Sequence, residues 1–118
     1  MITTKRLKIS VVDKKDYYGV YFKGFRKNKF TINSVGSVLK HSENELKEIG
    51  VFFVVLYEPK DFIQLVKLSS VSKSIIIASP NKRLFSSLKN ISEFQIVDLS
   101  SKLNIMSNLH LALTRFYR

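Results

Sequence analysis

Five short runs rich in β-branched and aromatic residues recur along the chain: LKISVV from Leu7, FTINSV from Phe30, VFFVVLY from Val51, SIIIAS from Ser74 and FQIVDL from Phe94. Their starts are 23, 21, 23 and 20 residues apart. Each gap holds one stretch in which apolar residues return every three or four positions, the period of a helix with one buried face. Strand and helix in strict alternation predict βα units on a parallel sheet. VFFVVLY and SIIIA are apolar at successive positions, as strands covered on both faces must be. FTINSV alternates with polar residues and reads as an edge strand.

Local signals place the helices. After Asp13 or Asp16, the residues Tyr17, Tyr18, Tyr21, Phe22 and Phe25 form one apolar stripe and predict a first helix. Ser42 and Glu45 have the spacing of a capping box ahead of Leu46 and Ile49. Pro59 and Asp61 open a third helix through Phe62, Leu65 and Val66, with proline in the first turn. Ser79 and Pro80 open a fourth through Leu84, Phe85 and Leu88. Ile105, Leu109, Ala112 and Phe116 mark the last. No linker or low-complexity tract interrupts the pattern. The expected fold is α/β, a (βα)5 flavodoxin-like parallel sheet of order 2-1-3-4-5 with helices on both faces.

A chain of 118 residues is the length of one domain. The hydrophobic share is 45 % and no apolar run nears the ~20 residues of a membrane span. With no cysteine, disulfides and thiolate chemistry are excluded. MITTKRLKIS lacks the apolar core of a secretory signal, and a cytoplasmic location is the expectation. Charge changes the picture more. Twenty Lys and Arg against nine acids give a net charge of +11, which attracts polyanions at long range. The densest basic cluster is Lys23, Arg26, Lys27 and Lys29, the candidate anion-binding group.

Five βα units in this length, opening on a strand and closing on a long helix, resemble the receiver domain of bacterial response regulators. ISVVD followed by Lys14, Lys15 and Asp16 resembles the first strand and its acidic pair. YFKGF, Tyr21 to Phe25, resembles the first-helix stretch of receivers from LuxR/FixJ-type transcription regulators. IIIASP resembles the fourth strand with its hydroxyl residue, and FQIVDLS the fifth. The resemblance spans residues 1–118. It implies either a stand-alone receiver-like domain or the N-terminal part of a longer regulator with a C-terminal, DNA-binding helix-turn-helix.

The same resemblance implies a phosphorylation site, and the required groups are missing. A receiver needs paired carboxylates for Mg²⁺, which prefers oxygen ligands, an aspartate ending the third strand, and a lysine after the fifth. Here Lys14 and Lys15 follow Asp13, and Tyr17 follows Asp16. The acceptor position falls on Val55, Leu56 or Tyr57. Glu58 comes one or two residues late, and Asp98 reverses the charge of the lysine. Only Ser79 survives in kind. The expectation is a degenerate receiver with no catalytic residue, cofactor or metal; its Lys14, Lys15, Glu58 and Asp98 are either ordinary loop charges facing water or a pairing of Lys14 or Lys15 with Glu58 and Asp98 in place of magnesium and phosphate.

Function would then run through a homodimer or another regulator protein. The resemblance points to Leu84, Phe85, Leu88, Ile105, Leu109, Leu113 and Phe116 as interface candidates, several of which must belong to the core. The competing reading is a stand-alone basic protein that binds nucleic acid, DNA included; Tyr17, Tyr18, Tyr21, Phe22 and Phe25 would be its stacking platform, although their helical spacing suits core packing better and leaves Tyr17 or Tyr18 exposed. The third is an enzyme with its site at the strand ends. Against it, His41 and His110 lie far apart, there is no GxGxxG or P-loop, and the paired serines suit turns.

Overall fold

The computed structural model describes residues 7–24, 30–71, 74–90, 94–101 and 104–113. Five strands, β1 (Leu7–Val12), β2 (Phe30–Val35), β3 (Val51–Val55), β4 (Ile75–Ser79) and β5 (Gln95–Asp98), form one parallel sheet. Their order is β2-β1-β3-β4-β5, the flavodoxin-like arrangement that the alternating pattern predicts. Every residue of β3 and β4 is buried, while the two edge strands, β2 and β5, are partly exposed.

Strand alternation sorts the core into two layers. Ile9, Val11, Phe53, Val55, Ile76 and Ala78 face one side and pack with Phe22 and with helix α4 (Ile105–Leu113). Val12, Phe52, Val54, Leu56, Ile75 and Ile77 face the other, under α1 (Glu43–Lys47), α2 (Phe62–Ser69) and α3 (Lys82–Leu88). The Ser42–Glu45 capping box opens α1 at its N-terminus. Pro59 begins a 3-10 turn, Pro59–Asp61, that runs directly into α2.

Several expectations need correction. Among the described residues of the first crossover the element is a 3-10 helix, Gly19–Gly24, where an amphipathic α-helix is expected. In the preceding loop the Asp13 carboxylate binds the N–H groups of Tyr17 and Tyr18. Phe22 is buried, Tyr18 and Tyr21 are half-buried and Tyr17 is exposed; Phe25 lies outside the described residues. In α2 the buried pair is Leu65 and Leu68, and Val66 faces solvent at 70 % exposure. Asn81 caps α3, accepting from the N–H groups of Arg83 and Leu84, because Ser79 still belongs to β4.

Most of the interface candidates belong to the core. Leu84, Leu88, Ile105, Leu109 and Leu113 are buried against the sheet, on the apolar faces that α3 and α4 need in order to pack. Phe85 is half-buried beneath the Lys89 ammonium, and Phe116 lies outside the described residues. The large apolar side chains that α4 turns outward are Met106 and Leu111.

Candidate site at the carboxyl edge of the sheet

In a parallel α/β sheet the strand carboxyl ends gather the crossover loops, so side chains there converge from distant parts of the sequence. Asp13 follows β1 directly and is buried. Its Oδ1 accepts from the Lys15 N–H at 3.1 Å and from the Tyr57 hydroxyl. Its Oδ2 accepts from the N–H groups of Tyr17 at 2.9 Å and Tyr18 at 3.0 Å. A carboxylate has about four acceptor sites, so Asp13 is fully occupied and has none to offer a metal ion. Asp16 holds this loop in shape with φ at 54°, a left-handed conformation that aspartate tolerates better than most residues. It accepts a hydrogen bond from Ser34.

Strand direction places Val55, Leu56 and Tyr57 differently. Val55 and Leu56 are buried, one in each core layer. Tyr57 continues the Phe53, Val55 face beyond the strand and reaches Asp13. Burial first, and then the neighbouring Asp13 charge, push its hydroxyl far above the ordinary tyrosine range, so it stays protonated as a donor. Tyr17 meets its ring edge-on at 6.3 Å, and the Lys15 ammonium sits 5.0 Å from its centroid, within cation–π range.

The second half of the site is ionic. The Lys14 ammonium lies 2.7 Å from Glu58 and 2.9 Å from Asp61. Asp61 Oδ2 also accepts from the N–H groups of Tyr57 at 2.8 Å and Glu58 at 3.1 Å, fastening the β3–α2 turn. Burial pushes the Asp61 carboxyl up, but Lys14 and the two amides outweigh it and hold it below the ordinary range. Glu58 is lowered chiefly by its bond to Lys14, and Lys14 is raised in return.

The expected pairing of Lys14 with Glu58 is therefore present, but the third member is Asp61, not Asp98. Sequence reading treats Asp61 only as a helix-opening residue. Its signal is a carboxylate two residues after a proline in a first turn, where it can fold back on the preceding amides. Asp98 accepts from Ser100 at 2.8 Å, and hydrogen bonds from Ser100 hold its carboxyl low. Ser79 is buried and donates to the Leu56 carbonyl at 2.6 Å, joining β4 to β3. The side chains of Lys23, Arg26, Lys27 and Lys29 lie outside the described structure.

Among the described residues no group of three metal-ligating side chains converges, and no helix is long and apolar enough to cross a membrane. No family model matches the chain, and neither a curated protein nor a solved structure does.

Proposed function

We propose that this chain is a receiver-like regulatory domain that works without phosphorylation. It acts by forming a homodimer or by binding another regulator protein, in bacterial transcription regulation and signal transduction. One observation supports this reading above the others: Lys14 is held between Glu58 and Asp61 beside an Asp13 with no free acceptor site. An internal cation and an internal hydroxyl stand where a receiver would hold magnesium and its acceptor aspartate. A fixed contact of this kind responds to no phosphodonor, so control passes to association.

The test is incubation with acetyl phosphate, or with beryllofluoride, in the presence of Mg²⁺, followed by intact mass and sedimentation velocity. The expected result is an unchanged mass together with a dimer. A Mg²⁺-dependent adduct overturns the unphosphorylated reading, and a monomer at every concentration overturns dimerisation.

The net charge of +11 favours a second reading, a basic protein that binds nucleic acid directly. That reading requires binding to a DNA duplex that falls linearly in log–log plots against salt. Absence of a mobility shift at low salt removes it.

A further inference from the structure

The sheet ends on β5, and the outer side of that strand is open. Leu99 donates its N–H to the Ser79 carbonyl at 3.0 Å. By alternation Gln95 and Val97 turn their backbone groups toward β4, and Ile96 and Asp98 turn theirs outward. The Asp98 carbonyl accepts from the Asn108 side chain at 3.3 Å. Among the described residues no hydrogen bond reaches the Ile96 N–H, the Ile96 carbonyl or the Asp98 N–H on that side. Proteins usually blunt such an edge with lysine, proline or a bulge, but QIVD carries neither residue and pairs in regular register.

Beside this edge lies a cleft of about 290 Å³, walled by Phe85 of α3 on one side and by Asn108 and Leu111 of α4 on the other. Gln95 lines it too, and among the described residues Gln95 Oε1 is the one buried side-chain polar atom without a hydrogen-bond partner. A buried acceptor that lacks a donor costs stability. The α3 wall is cationic at both ends. Lys82 and Lys89 are exposed and form no ion pair among the described residues, and the Lys89 ammonium lies 4.9 Å from the Phe85 centroid. Hydrogen bonds from Ser100, and after them the Lys82 and Lys89 charges, lower the Asp98 carboxyl, so both ammonium groups stand near the strand. Seven helical residues set the two lysines ~10 Å apart, close to the ~13 Å between residues i and i+4 of a strand.

We infer that the β5 edge takes an added strand, an extended acidic segment of another protein. The backbone of that segment pairs with Ile96 and Asp98 and supplies a donor to Gln95 Oε1. Two of its carboxylates, four residues apart, meet Lys82 and Lys89, and the apolar residue midway between them lies on Phe85. Pairing of two copies through β5 would instead set their Lys82–Lys89 rows against each other, in a chain of net charge +11. The site is separate from the carboxyl-edge network and does not depend on the regulatory reading given to it.

The test is NMR titration of the isotope-labelled full chain with the peptide acetyl-Glu-Val-Val-Val-Glu-amide, and with acetyl-Lys-Val-Val-Val-Lys-amide as the control. The acidic peptide is expected to give saturable shifts over Gln95–Asp98 and slower hydrogen exchange at the Ile96 and Asp98 amides, with the basic peptide weaker by about tenfold or more. Ile96→Pro removes an outward N–H without touching the β4 ladder and is expected to abolish binding. Joint Lys82→Glu and Lys89→Glu, at exposed positions, is expected to weaken binding about tenfold, and keeps the test open if Ile96→Pro fails to fold. The site is overturned by absence of saturable shifts on β5, by equal binding of the two peptides, or by undiminished binding in either variant. Protection of the Ile96 and Asp98 amides that grows with protein concentration, without peptide, assigns the edge to a second copy and overturns it as well.

Discussion

The Tyr57 hydroxyl donates to the buried carboxylate of Asp13, 44 residues away in sequence. One contact thus ties the end of β1 to the end of β3 and fills the fourth acceptor site of Asp13. Removing the hydroxyl leaves that carboxylate one donor short. Tyr57→Phe is expected to destabilise the fold by about 1–3 kcal/mol in urea titration. Tyr57→Asp should cost more, since it sets two carboxylates side by side. If Tyr57→Phe is neutral, the hydroxyl contact does not support the loop.

Lys14 separates two carboxylates that would otherwise face each other across a gap open to water. With Lys14→Met, Asp61 loses its cation and Glu58 keeps only the exposed Lys60 ammonium at 3.5 Å, and a divalent ion becomes the simplest replacement. The melting temperature of the variant is expected to rise on adding Mg²⁺, while that of the natural chain stays fixed. Equal responses from both would mean that Lys14 does not occupy a cation position.

Acid should weaken the fold through the same group. The carboxyls of Asp61, Glu58, Glu45 and Asp98 are all held below their ordinary range, and Asp61 is the most enclosed of them. A depressed carboxyl contributes stability that is present above its unfolded pKa, near 4, and lost as pH falls through the folded value. Stability is therefore expected to hold down to about pH 5 and then decline, with a shallower decline in Asp61→Asn.

At the alkaline end the sign is opposite. Tyr57, Tyr18 and Lys14 are raised, so their contributions are complete below about pH 10 and disappear as pH climbs beyond it. Titration followed by tyrosinate absorbance should show part of the tyrosine signal appearing only with unfolding. A single transition at the ordinary value for all five tyrosines would contradict the Tyr57–Asp13 contact.

Core and surface on α4 can be separated by substitution. Leu109→Ala removes a fully buried side chain and is expected to cost about 2–5 kcal/mol. Leu111→Glu, at a position 65 % exposed, should change stability by less than about 0.5 kcal/mol but dissociate the proposed dimer in sedimentation velocity. A dimer unmoved by Leu111→Glu places the contact elsewhere.

The alternation of apolar runs with helical stripes carries the architecture. Buried strands such as VFFVV and IIIAS need apolar residues on both faces, and that requirement is local enough to read from composition. Capping is readable where the cap and its partner are three residues apart, as with Ser42 and Glu45. It fails at Asn81, where strand pairing claims Ser79 and moves the cap onward. Periodicity predicts an apolar stripe but not its depth, which is why Val66 faces water and Leu84 and Leu88 belong to the core.

The sequence by itself determines the βα alternation, the parallel sheet, its edge strand and the absence of an acceptor aspartate after β3. Each of these follows from residue type at positions that are close in the chain. The tertiary structure alone decides that Tyr57 meets Asp13 and that Lys14 bridges Glu58 to Asp61 rather than Asp98. Those contacts join segments 44 to 47 residues apart, and side chains at such separations meet only after the strand order and register of the sheet have been set.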